Sequence, residues 1–344
     1  MRVQSLRIIL LLAVLNPSTK GDSQGNLVLP TDNDALFHGG GPAFYQFVER
    51  TDQGVKSTPW EGGQYGFVRD PIKTAAGIVY TRFHEGIDIC PLHRDARGEP
   101  LDQVRAIAAG KVVHTNLVPG HSNYGKYIVI EHDWDGSPYY SLYGHLSAIT
   151  VHEGALVARD QPIGVMGHTG KGITQARAHL HLELNLMLSH RFEAWHNANY
   201  PGEPNYNGIY NGLNLAGLDI DRLYLALHNN PAITVTAFLQ KEEIFYTIAL
   251  PRSPNFELPR LYPWMVTKPA EPETRSWKVS FARSGLPLKI EPSQQAVAEP
   301  MLVDIEKSTI NYADLTRGYI SGHGKRAHLA DSGKKLAQLL IYTD

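Results

Sequence analysis

From His179 to Leu188 the chain alternates without a slip: odd positions carry His179, His181, Glu183, Asn185 and Met187, and every even position is leucine. A period of two belongs to a β-strand, whose successive side chains point to opposite faces. In a helix those five leucines would scatter around the axis, so the segment is expected to be a strand with a leucine face and a polar face. Both imidazoles then point into the same space. The alternative is a strand whose polar face merely meets solvent.

The rest of the chain suits such a strand. Its 31 glycines, 22 prolines and 19% charged residues fit a turn-rich β protein better than a helical bundle, and 42% hydrophobic residues oppose disorder. From about Ile72 to Leu188, short apolar runs alternate with turn signals: Val112-Val113 after Gly110, Tyr127–Glu131 after Gly125, Tyr139–Leu146 after Gly136, then Pro162–Met166. The expected fold is mainly β, an antiparallel sheet domain with a groove followed by a second β-rich module. Residues 21–71 read as an irregular Gly/Pro-rich lead-in, 72–196 as the first domain, 197–217 as a connector and 218–344 as the accessory module. In the last, Leu218–His228 is helical, and Ile233–Phe238, Ile244–Leu250, Trp277–Phe281, Leu286–Ile290 and Met301–Ile305 are strand candidates.

Arg2 and Arg7 precede an apolar run from Ile8 to Leu15 and then Asn16-Pro17, the layout of a signal peptide over residues 1–20. Eight apolar residues are too few to span a bilayer, so an exported chain without stable membrane insertion is expected, in the periplasm or outside the cell. A net charge of −2 provides no field toward nucleic acid. The single cysteine, Cys90, excludes an internal disulfide and a multi-cysteine zinc site, so a metal must sit on histidines and carboxylates.

The 16 histidines decide the reading. Three patterns follow one another: His84-Glu85-Gly86-Ile87-Asp88, Tyr143-Gly144-His145-Leu146 and His179-Leu180-His181. Random placement gives about 0.7 His-x-His pairs but only about 0.07 His-x-Gly-x-Asp patterns, so the first is the more informative. In an extended chain His84 and Asp88 would lie about 13 Å apart, too far to share an ion. The backbone must bend, and Gly86 permits it by lacking Cβ and tolerating positive φ. A turn in which Asp88 bonds backbone amides is the alternative. In a strand from Tyr139, His145 shares a face with Tyr139, Ser141 and Tyr143, and a neighbouring strand would present it beside His179; by itself it is also compatible with an ordinary cross-strand histidine. Two imidazoles and one carboxylate make a zinc set with a fourth position for water, which suits amide hydrolysis.

These patterns, with Ala109-Gly110-Lys111-Val112-Val113, Asn123-Tyr124-Gly125, Pro162-Ile163-Gly164 and Gly167-His168-Thr169-Gly170, resemble the lysostaphin-type zinc endopeptidases, which cut peptide cross-links of bacterial peptidoglycan. The resemblance covers about a third of the chain. It implies that His84, Asp88 and His181 hold zinc and that His145 and His179 are catalytic, His179 as the base and His145 beside the oxyanion, or the reverse. Glu183 is at most an orienting partner. The implied partner is a peptidoglycan stem or cross-link. Departures are Asp160 in place of a usual glycine, His168, Leu182, and a long charged segment from Pro91 to Asp102. His152-Glu153-Gly154 imitates the first motif but has Leu156 where an aspartate is needed, and no His-Glu-x-x-His occurs. A non-catalytic wall-binding or hydrolase-regulating protein of the same fold is the competing reading; filled ligand and histidine positions favour the enzyme. The second module could bind wall polymer, cover the groove or stabilise the fold, and the lead-in before Ile72 could lie in the groove.

Overall fold

The computed structural model describes residues 27–47, 51–52, 54–56, 61–75 and 77–343. The signal peptide expected at 1–20 lies outside them. No helix among the described residues is long and apolar enough to cross a membrane.

The first half is antiparallel β-structure. Strands β1 (Gly66–Thr74) and β2 (Gly77–His84) form a two-stranded ribbon. They are followed by β3 (Ile87–Ile89), β4 (Gln103–Arg105), β5 (Gly110–Asn116), β6 (Tyr127–Trp134) and β7 (Ser137–Gly144). Next come β8 (Ala148–Ile149), β9 (Leu156–Val157), β10 (Pro162–Val165), β11 (Leu180–Met187) and β12 (Leu215–Gly217). The central sheet runs β9-β5-β6-β7-β11-β12, and β3 joins β11 on the edge it shares with β12. A smaller sheet runs β8-β10-β4.

Local chemistry sets the register. Between β6 and β7 lie only Asp135 and Gly136, both at positive φ (51° and 68°), the two-residue turn whose twist matches its flanking strands. On β11 the leucines at 180, 182, 184, 186 and 188 all enter the main apolar cluster, whereas Met187 packs on the other face with Tyr127, Val129, Tyr140, Leu142 and Leu215. The period-two reading of this segment therefore holds, but its polar face is not solvated: Glu183 and Asn185 have no exposed surface.

Beyond β12, α1 (Ile220–Asn229) is capped by Asp219, which accepts from the Arg222 amide, and buries Ile220, Leu223, Tyr224 and Leu227. A four-stranded sheet follows, made of β13 (Tyr246–Pro251), β14 (Ser276–Phe281), β15 (Pro287–Ser293) and β16 (Met301–Ile305), in the order β15-β14-β13-β16. The strand expected at Ile233–Phe238 is instead a short helix, Val235–Leu239. The β-branched run suggested a strand, but the Thr234 hydroxyl accepts from the Ala237 amide and starts a helical turn. A further helix, α2 (Asp331–Leu340), follows. Gly333 is needed there because a Cβ would lie 2.1 Å from the Tyr319 carbonyl oxygen. One apolar cluster includes Leu36, Phe44, the leucines of β11, Phe281 and Leu340, so lead-in, central sheet and C-terminal module share a core.

Candidate metal centre and groove

Asp88 on β3 and His181 on β11 are direct cross-strand partners. His84 arrives from the end of β2 through the turn Glu85-Gly86. Gly86 is required, though not for a positive φ: a Cβ there would lie 2.2 Å from the Leu182 carbonyl oxygen and 2.7 Å from Glu183 Cγ. Close approach of the turn to β11, rather than left-handed backbone, is what excludes a side chain. On the other side of β11, His181 faces Gly144, where an added Cβ would meet the His181 Cβ at 3.3 Å.

His145 departs from the strand reading. Extended alternation would send it to the side of Tyr139 and Tyr143, which lie in the main apolar cluster. Its φ of 62° ends the extended period at Gly144 and turns the ring to the other face. There it meets His179 edge-on at 4.6 Å between centroids and His181 at 5.8 Å.

His84 Nε2, His181 Nδ1 and Asp88 Oδ1 form a triangle with sides of 3.1 Å (His84–His181), 2.9 Å (His181–Asp88) and 3.1 Å (His84–Asp88). Three donors about 2.0–2.1 Å from a tetrahedral ion stand about 3.3 Å apart, so the set fits zinc with shifts of a few tenths of an ångström. The remaining ring atoms are engaged as metal ligands require. His84 Nδ1–H donates to the Gln64 carbonyl at 2.8 Å, and His181 Nε2–H to Glu183 Oε1 at 2.8 Å. Glu183 also accepts from the Tyr124 hydroxyl at 2.8 Å and from Asn185 at 2.9 Å. The second oxygen of Asp88 accepts from Arg69 at 2.7 Å, and Arg69 Nε donates to the Gly62 carbonyl.

Burial opposes ionisation of Asp88, but His179, His84 and Arg69 outweigh it and hold the carboxyl well below the usual range. Burial, aided by Arg69, lowers His84, and burial with the neighbouring imidazoles takes His145 well below an ordinary histidine. The two histidines outside the triangle are held alike: His145 Nδ1–H donates to the Thr169 carbonyl at 2.8 Å and His179 Nδ1–H to the Arg177 carbonyl at 2.6 Å. Nδ1 of each ring is thereby engaged, and Nε2 of His179 lies 3.3 Å from Asp88 Oδ1, to which it donates only when the ring is protonated.

This cluster lies in a groove of about 1190 Å³, bordered by Arg82–Glu85, the loops 119–124 and 170–173, and residues 207 and 211–213. Arg69, Arg82, Lys171, Arg177 and Arg317 line it against the carboxylates Glu85 and Asp88, a positive groove in a chain of net charge −2. Of the described lead-in residues before Ile72, only Arg69 borders the groove; Leu36, Phe44 and Tyr45 pack into the main core instead. Gln64, Arg69, Tyr124 and Arg317 escaped the sequence analysis as site residues. Only Tyr124 stood in a motif, and nothing local distinguishes the others. Cys90 is apart from the site: its thiol donates to the Ala43 carbonyl, and burial raises its pKa.

Residues 82–191 match the profile of Peptidase family M23. Over 85 residues the chain is 43% identical to peptidoglycan DD-endopeptidase ShyA of Vibrio cholerae serotype O1, a match covering 23% of this chain and 18% of that protein. A zinc-containing peptidase from Vibrio cholerae, solved as a crystal structure, is 28% identical, covering 41% of this chain and 35% of its own, with a TM-score of 0.26. The catalytic domain of lysostaphin from Staphylococcus simulans is 30% identical, covering 36% and 82%, with a TM-score of 0.25. The chain thus spans less than a fifth of the curated relative it matches. The segment that carries His84, Asp88, His145, His179 and His181 is a Peptidase family M23 domain.

Proposed function

We propose that this protein is an exported zinc metalloendopeptidase that hydrolyses peptide cross-links of bacterial peptidoglycan. The observation that carries the reading is the His84–Asp88–His181 triangle, with two histidines beside it whose Nδ1 atoms are held by backbone carbonyls, inside an M23 domain. A zinc ion held by the triangle would supply a Lewis acid for the scissile carbonyl and a water acidic enough to ionise near pH 7.

The chain's own groups do the rest. His179, fixed through Nδ1 to Arg177, is aimed to take the proton of the attacking water and return it to the leaving amine. His145 is the histidine proposed to meet the developing oxyanion; its Nδ1–H is committed to Thr169 and burial keeps the ring neutral at rest, so it would do so by taking up a proton at Nε2 as that charge forms. Glu183 and Gln64 keep the ligand rings in the tautomers that leave a lone pair toward the ion. The cations lining the groove support a peptide substrate that carries free carboxylates.

The test is zinc content together with release of cross-linked muropeptides by the purified protein, beside His84→Ala and His179→Ala. One zinc per chain, lost in His84→Ala but kept in an inactive His179→Ala, is the expected result. Bound zinc without cleavage of any wall type would favour a wall-binding or regulatory protein instead.

A further inference from the structure

The three proposed ligands are not supported alike. Asp88 and His181 belong to the central sheet, whereas His84 ends the β1–β2 ribbon, which among the described residues hydrogen-bonds to no other strand. A two-stranded ribbon is marginal by itself, yet a metal ligand must be held to within a fraction of an ångström. The ribbon therefore needs a brace.

That brace comes from the C-terminal module. Arg317 donates to Glu85 Oε1 at 2.6 Å, directly beside His84 in the chain. Its guanidinium lies over the Phe83 ring at 5.0 Å and near the Tyr319 ring at 5.8 Å. A second cation, Arg283, lies over Phe67 of β1 at 5.0 Å, and Phe67 meets Phe83 edge-on at 5.1 Å. Arg317 adopts a φ of 56°, a conformation few non-glycine residues take and one that persists only where the surroundings enforce it. From the opposite side, the Glu85 carbonyl lies 2.1 Å from where a Cβ on Gly217 would be, so the turn after His84 is wedged between β12 and Arg317.

We propose that the C-terminal module clamps the β1–β2 ribbon, and that Arg317 is a positioning residue that sets His84 through Phe83 and Glu85. The clamp takes its importance for catalysis from the reading of His84 as a zinc ligand. It gives the module a role inside the active site rather than as a detachable wall-binding unit.

The experiment uses the full chain, with Arg317→Ala, Arg317→Lys and Glu85→Gln, and reads three quantities: amide hydrogen exchange of β2 against β11, zinc affinity by chelator competition, and kcat and KM on cross-linked muropeptides. In Arg317→Ala, β2 amides should exchange at least about 10-fold faster while β11 is unchanged, and zinc should bind about 10–100-fold more weakly. With zinc saturating, kcat should fall more than KM rises. Arg317→Lys, which keeps the charge but loses the planar stacking, should recover part of each loss. Glu85→Gln added to Arg317→Ala should cost less than the sum of the two. Wild-type exchange and zinc affinity in Arg317→Ala would overturn the clamp. If Arg317→Ala does not fold, the same readouts on Glu85→Gln decide between a clamp and none. A wild type that binds no zinc, with β2 loosened by Arg317→Ala, would keep the clamp and sink the zinc reading.

Discussion

The central sheet and the C-terminal four-stranded sheet are built from similar strands but bury different chemistry. Around β3, β6, β7 and β11 the buried set includes His84, Asp88, His132, His179, His181, Glu183 and Asn185. The strands β13–β15 bury Ile248, Leu250, Val279, Phe281, Leu288 and Ile290, and the polar groups they bury are the hydroxyls of Ser276, Ser280 and Tyr246. Burying imidazoles and carboxylates costs stability unless every polar atom is paired. The first region meets that cost with a network that links His84, Asp88, His181, Glu183 and Asn185 and with separate bonds from His132 to Ala109 and Ser141, whereas the strands of the second bury no imidazole or carboxylate. Concentrated buried polarity thus marks the region that holds the candidate site, while the other supplies rigidity.

Four substitutions separate the two regions, in decreasing order of expected effect. His179→Ala should lower kcat by about 10²–10⁴-fold while leaving bound zinc in place, read from steady-state kinetics and metal content. A loss of zinc along with activity would make His179 a ligand and erase the distinction between base and metal set. Phe281→Ala, deep in the C-terminal sheet, should cost about 3–5 kcal/mol of stability in urea titration without altering zinc stoichiometry. If the stability cost were below about 1 kcal/mol, the second sheet would not be the rigid partner described.

The third difference is in pH dependence. Burial lowers His132 to about 4, although its Nδ1–H donates to the Ala109 carbonyl. Between that value and the ordinary 6.5, the unfolded chain takes up a proton that the folded chain does not. Stability from this group is therefore complete above pH 6.5 and falls by about 3 kcal/mol as the pH drops to about 4. His132→Phe should flatten the stability slope in that window, whatever it does to stability at pH 7; an unchanged slope would assign the acid sensitivity to other groups. The smallest effect is expected for Glu183→Gln, which weakens the hold on the His181 ring. Zinc affinity should fall about 10–100-fold, or about 1.4–2.7 kcal/mol, with wild-type secondary structure by circular dichroism. An affinity equal to wild type would reduce Glu183 to a plain strand residue.

Much of this was legible in the chain. The leucine alternation of β11, the Asp135-Gly136 turn and the runs that became β5, β6, β7 and β10 are local signals, because strand periodicity and turn chemistry act over a few residues. The three histidine motifs could be recognised on the same terms. Elsewhere a local signal misled: the β-branched run before Phe238 gave way to the cap at Thr234.

By itself, then, the amino-acid sequence singled out the four histidines and the aspartate of the candidate site, and the period of two that gives His179 and His181 the same side of the chain at β11. Tertiary structure alone decided which groups converge on them. The left-handed turn at His145 brings its ring to the side opposite that of extended alternation. Arg69 reaches Asp88 from 19 residues away, and Arg317 reaches Glu85 across 232. No local pattern encodes such pairings, because they arise only when apolar surfaces far apart in the chain pack into one core and leave particular polar atoms facing each other.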